Sequence, residues 1–186
     1  MTRTTVYRPE GTGALCAGKV RRSFSLCIWT VLLGCGASVG QVTWQRVTLP
    51  GPNASNQQTA CIVADIDKDQ IDDFVVAERT QRPSVVWYKY NGKGWDMKVI
   101  DETALKPEAG GESFDIDGDG DLDVILGQDA SGNKIWWWEN PYPDFSRPWV
   151  RRLIKASGAS KHHDQSVADY DGDGLVVMLA RARSLD

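Results

Sequence analysis

Histidine, cysteine, basic excess and long apolar runs are what this chain has least of. Its 186 residues include two histidines, His162 and His163, and four cysteines. Three of those, Cys16, Cys27 and Cys35, lie in the first forty residues, so Cys61 stands alone beyond them and has no partner for an internal disulfide. Its surroundings, Cys61-Ile-Val-Ala64, predict a small residue buried in a strand rather than a reactive thiol. No cysteine and histidine spacing suits zinc, no nucleophile is paired with a base, and no glycine-rich loop is shaped to cradle phosphate. The formal net charge is −4, and from residue 41 onward 16 Lys and Arg face 24 Asp and Glu. No basic patch remains to hold nucleic acid. The longest strongly apolar stretch, residues 24–33, is too short to span a bilayer.

That stretch has another use. Arg3, Arg8, Lys19, Arg21 and Arg22 precede it and small residues fill 34–40, the order of a secretory signal peptide. Residues 1–40 are therefore expected to be a leader, with cleavage after Gly40 leaving a mature chain of 41–186. A second possibility is that Leu32-Leu-Gly-Cys35 resembles a bacterial lipobox, which would lipidate Cys35 and supply the only membrane attachment. Either route exports the protein, to the medium, the periplasm or the cell surface, and bacterial export is expected. Asn53-Ala-Ser55 is a glycosylation sequon with no consequence in a bacterium.

What the chain has in abundance is aspartate at fixed spacing. Asp115-Ile-Asp-Gly-Asp-Gly-Asp-Leu-Asp123 places carboxylates at loop positions 1, 3, 5 and 9 and a further residue, Asp121, at position 7. Asp65, Asp67, Asp69, Ile71 and Asp73 repeat the spacing, and Asp169, Asp171 and Asp173 begin it again before Val177 replaces the last acid. Carboxylates with a backbone carbonyl at position 7 make a cage of hard oxygen donors, which suits Ca2+ and not a soft-ligand metal. Two carboxylates ~4 Å apart repel by roughly 4 kcal/mol at an effective dielectric of about 20, so four need a counter-charge. Gly120 and Gly174 occupy position 6, where the turn needs freedom that Gln70 in the first loop lacks. Position 12 is Val76, Leu126 or Ala180 instead of the bidentate Glu of an EF-hand, and it sits in an apolar β-branched run. The loops therefore lead into strands.

The repeat is longer than the loop. Trp44, Trp95 and Trp149 each begin a Trp followed by two aliphatics at the same offsets, 51 and 54 residues apart, while the loops are 50 and 54 apart. Within each unit of about fifty residues, turn residues separate four short apolar runs. These predict strands at 60–64, 73–78, 84–90 and 95–101, then at 112–114, 123–127, 134–139 and 149–155. Four-stranded units at that period are the sequence pattern of β-propeller blades. Together with Val85-Val-Trp-Tyr88 and Ile135-Trp-Trp-Trp138, the loops resemble the FG-GAP, or VCBS, repeats of integrin-alpha-like propellers. The resemblance covers about 42–180 and implies an all-β fold of about two and a half four-stranded repeats in an incomplete ring, with structural Ca2+. For activity it implies less, because similar propellers serve as adhesion modules, lectins and polysaccharide lyases. A binding or adhesion module for an extracellular carbohydrate or protein ligand is expected; a fragment of a carbohydrate-active enzyme such as a polysaccharide lyase is the alternative.

The ring is expected to be open because the gene product is truncated or frame-shifted, or because arcs assemble. In that frame residues 44–49 form a lone strand of the fourth type. Trp136 and Trp138 should face one neighbouring blade and Trp137 the other. His162, His163, Asp164 and Gln165 precede the innermost strand of the third unit at the end away from the acidic loop. They are the candidate ligand rim, with a histidine as base if the chain is an enzyme. On these grounds Asp117→Ala should lower calcium affinity more than Asp67→Ala, a difference read by calorimetric titration of each variant.

Overall fold

The computed structural model describes residues 5–10, 43–49 and 57–182. Twelve strands and no helix occur among them: β1 (Thr5–Glu10), β2 (Thr43–Thr48), β3 (Gln58–Ala64), β4 (Asp73–Glu78), β5 (Val85–Tyr90), β6 (Trp95–Asp101), β7 (Glu112–Phe114), β8 (Asp123–Gly127), β9 (Ile135–Glu139), β10 (Val150–Lys155), β11 (His162–Ala168) and β12 (Val177–Ala182). The chain divides into two compact units, one containing β1 and β2 and the other the remainder from Leu49.

In the small unit β1 and β2 are antiparallel, with Thr5 opposite Thr48 and Glu10 opposite Thr43. The strand expected to stand alone at 44–49 therefore has a partner, because an unpaired edge offers free N–H and C=O groups that another strand can satisfy. Most of the expected leader, including the lipobox and cleavage positions, lies outside the described residues.

The large unit holds two four-stranded antiparallel sheets, in order β3-β4-β5-β6 and β7-β8-β9-β10, and a hairpin, β11-β12. It is all-β, each sheet is a simple meander, and none closes into a barrel. The third unit continues the pattern as far as its second strand. Strands β4, β6, β7 and β8 keep the bounds expected from the sequence, since an acidic loop or a glycine turn punctuates each on at least one side. In β4, β5, β8 and β9 nearly every position is buried, as in a strand covered on both faces.

The core lies between consecutive sheets. Ile62, Val75, Val85 and Trp87 of the first sheet meet Val124, Leu126, Trp136 and Trp138 of the second in one cluster. On the opposite face Ile125, Ile135 and Trp137 pack with Phe114 of the same sheet and with Val167, Met178 and Ala180 of the third unit's hairpin. Alternation thus divides the three tryptophans between two interfaces, and the packing role expected for them holds. Polar bonds fasten the first interface: Trp138 Nε1 and Arg151 Nη1 both donate to Asp101 Oδ2, at 2.9 and 2.7 Å. Burial alone would raise the Asp101 carboxyl, but bonds from Thr103 and Trp138 and the charge of Arg151 hold it below the usual carboxylate range.

Cys61 departs from expectation, being exposed rather than buried. Its neighbours Ala60, Ile62 and Ala64 point into the core, so Cys61 and Val63 face outward on the innermost strand of the first sheet. Trp138→Ala should cost roughly 3–5 kcal/mol of stability, from lost burial plus the cavity, whereas Val63→Ala, at a position 62% exposed, should stay within about 0.5 kcal/mol. Equilibrium urea unfolding of the two variants checks the contrast.

Candidate functional site

Each acidic loop joins the first two strands of its unit: β3 to β4, β7 to β8, β11 to β12. The aspartate at position 1 organises each of them by accepting the amide of position 6 and one other loop amide. Asp65 accepts the amides of Asp69 and Gln70 at 3.0 and 2.9 Å. Asp115 accepts those of Gly118 and Gly120 at 2.8 and 2.9 Å, and Asp169 those of Gly172 and Gly174 at the same distances. The turn drives position 6 into the left-handed region, with φ of 92° at Gly120, 86° at Gly174 and 70° at Gln70. A glycine adopts that conformation freely; a glutamine there costs of order 1–2 kcal/mol.

The carboxylates converge, though not identically. In the second loop Asp115, Asp117 and Asp123 bring oxygens within 4.8 Å of one another. Asp123 is held from two sides, Oδ1 accepting the Asn140 amide at 2.9 Å and Oδ2 the Ile116 amide at 3.0 Å. Asp121 is 3% exposed, and its Oδ1 has no hydrogen-bond partner. Asp119 remains exposed. Burial and the charges of Asp119, Asp123 and Asp117 push the Asp121 carboxyl up to about 7. Burial likewise raises Asp123 to about 6, against the pull of its two backbone bonds. These donors fit a hard divalent cation: all are oxygens, and two are ill at ease as bare carboxylates.

The first loop gathers Asp65, Asp67 and Asp69. Asp73 is not in that cluster, Oδ1 accepting the Tyr90 amide and Oδ2 the Trp87 indole N–H, both at 2.9 Å. Ile71 is exposed, its amide donating to Asp69 Oδ1 at 3.0 Å. The third loop gathers Asp169, Asp171 and Asp173, all exposed, and backbone donors led by Gly174 hold Asp169 below the usual range.

The four rim residues separate. His162 is 2% exposed and Gln165 is 5% exposed. Gln165 donates to the His162 carbonyl at 2.9 Å. Lys155 Nζ lies 3.0 Å from His162 Nε2 while donating to the carbonyls of Asn133 and Ala159. Burial and that ammonium push the imidazole below its usual range. A methyl group on Gly127 would sit 2.5 Å from His162 Cβ, so the histidine is packed against backbone. With its Nε2 lone pair toward an ammonium, His162 is a structural residue and not an available base.

His163 and Asp164 stay accessible, lining a cavity of about 400 Å³ with Arg181 and Ala182. His163 Nε2 lies 3.8 Å from Glu108 Oε2. Glu108 is 3% exposed and is bonded to Arg79, which also faces Asp129 at 3.8 Å. Asp164 is at φ 52°, in a bulge of β11, and its amide donates to Ala109 at 3.1 Å. Glu108, Arg79, Arg181 and Lys89 were not among the expected site residues, since each meets its partners through register and sheet stacking. Lys89 alone left a trace in sequence, since Glu139 stands at the matching place of the next unit.

A family model of the FG-GAP-like repeat matches residues 115–179. These residues run from the second acidic loop into the second strand of the third unit, so the repeat stated on loop spacing is the one found. No curated protein and no solved structure matches the chain significantly.

A carboxyl raised in the folded state adds stability in acid, which is lost as pH climbs from the unfolded value near 4 through the folded values of about 6 and 7. In chelator, Asp121→Asn should therefore gain stability relative to the parent protein between pH 5 and about 7.5. Thermal unfolding at the two pH values measures that gain, and equal differences at both would remove Asp121 as the source.

Proposed function

We propose that this chain is an exported calcium-binding β-propeller repeat module whose work is to bind an extracellular carbohydrate or protein ligand. The observation that carries the calcium part is the second loop, where Asp115, Asp117 and Asp123 converge beside a buried Asp121 oxygen that lacks a partner. Calcium takes six to eight oxygens in adaptable geometry, which a loop of carboxylates and carbonyls supplies more readily than the strict octahedron of magnesium. Its role here is structural: Asp123 begins β8 and Asp115 follows β7, so an ion between them pins the first hairpin of the blade.

The ligand would meet the end of the sheets away from these loops. The cavity beside His163, Asp164 and Arg181 offers donors and an acceptor in one place, suited to sugar hydroxyls or to the carboxylates of an acidic sugar or peptide. One feature favours the enzymatic alternative, a polysaccharide lyase or related carbohydrate-active propeller. Glu108 stands behind His163 as a carboxylate able to orient an imidazole. In that case His163 and not His162 is the base.

Thermal unfolding of the full chain with calcium and with chelator tests the first part. Calcium should raise the midpoint, and Asp117→Ala should erase most of the rise; no calcium effect in the parent protein would sink the metal reading. Incubation with acidic polysaccharides then separates the classes. Retention without cleavage that His163→Ala abolishes marks a binding module, while unsaturated sugar ends lost in the same variant mark a lyase.

A further inference from the structure

We infer that Lys89 stands in for a metal ion at the first acidic loop, so that this hairpin closes without calcium whereas the second loop takes it. The second clause rests on the calcium function proposed above; the first stands on its own geometry.

Lys89 Nζ contacts the carboxylate of Asp67 and lies 3.3 Å from Asp69 Oδ2, two of the three acids gathered in that loop. Asp67 is only 8% exposed at its side chain, so the ammonium reaches into the loop instead of pairing on the open surface. The lysine of the loop itself, Lys68, reaches toward the second loop instead, its Nζ 5.0 Å over the Tyr142 ring and 3.8 Å from where a methyl group on Gly120 would sit. The two repeats can be aligned through one backbone bond: the Tyr90 amide meets Asp73 as the Asn140 amide meets Asp123. Lys89 therefore corresponds to Glu139, an acid that turns to Arg152 at 2.7 Å and brings no positive charge to its loop. Two further features point the same way. Asp73 Oδ2 faces the Trp87 indole, where Asp123 Oδ2 faces an amide of its own loop. Position 6 is Gln70, held at φ 70°. A calcium ion here would have to displace an ammonium already neutralising the acids, and without the aid of the position 9 carboxylate.

The test is calorimetric titration of the full chain with calcium, using the parent protein, Lys89→Met, Asp67→Asn, their double variant and Asp117→Asn. The parent should bind equally many ions with or without Asp67→Asn. Lys89→Met should take up one more calcium per chain, and the double variant should lose it again. A parent count that falls by one on Asp67→Asn overturns the inference. So does an unchanged count in Lys89→Met while Asp117→Asn shows that the second loop binds. Unfolding in chelator decides the role of Lys89 even if no loop takes calcium. Lys89→Met should lower the midpoint by about 2–4 °C and Asp67→Asn should recover part of the loss, whereas strictly additive effects would refute the pairing.

Discussion

Like charge confined to a tight turn is the constraint on which the large unit is arranged. Each repeat spaces its aspartates so that the first can accept two loop amides, and this brings the others within a few ångströms of one another. Repulsion of several kcal/mol per pair is the physical consequence at intermediate dielectric. The three loops meet it differently. The first has an ammonium, the second has raised carboxyl groups that a cation would relieve, and the third is open to water, which screens. One sequence pattern thus leads to three electrostatic states, set by residues outside the pattern.

The consequences reach the core because the loops are tied to the sheets. Asn140, buried at the end of β9, donates through Nδ2 to the carbonyls of Ile66 in the first loop and Leu122 in the second. Its amide also holds Asp123. A single side chain therefore links two acidic loops to the strand that carries Trp136, Trp137 and Trp138. Splaying of either loop would pull at the interface that these tryptophans fill.

The fold was legible because the loops punctuate the chain. Asp73 and Asp123 begin β4 and β8 where the acidic spacing ends, and Trp95 begins β6 after a glycine turn. Alternation then divided the tryptophans correctly, since period two is a property of the strand itself. What failed needed knowledge of neighbours. Cys61 has an apolar context, yet it is exposed on the edge strand β3. His162 and His163 are adjacent in sequence, but one faces Lys155 and the other Glu108, residues contributed by a preceding strand and by the connection before β7. The strand at 44–49 has a partner from the first ten residues, a pairing that no local pattern announces. Lys89 is an intermediate case. Its substitution by Glu139 in the next repeat was readable, but its reach into the loop depends on Val75 facing Trp87, the register that fixes β5 against β4.

The two ends of the sheets differ in how their charge is balanced, and that difference bears on function. At the end away from the loops, Arg79 lies between Glu108 and Asp129, and His163 closes the other side of Glu108. The buried charges there are answered by protein groups, and the residues left accessible, His163, Asp164 and Arg181, carry both signs. Such a surface has no net demand for an ion, and it can exchange hydrogen bonds with a polar ligand at little reorganisation cost. At the loop end the second repeat buries the Asp121 carboxylate without an ion pair to it among the described residues, a demand that a small hard cation meets and an extended polar ligand does not. The ion and the ligand proposed above are therefore most economically assigned to opposite ends, the ion to the second hairpin and the ligand to the rim.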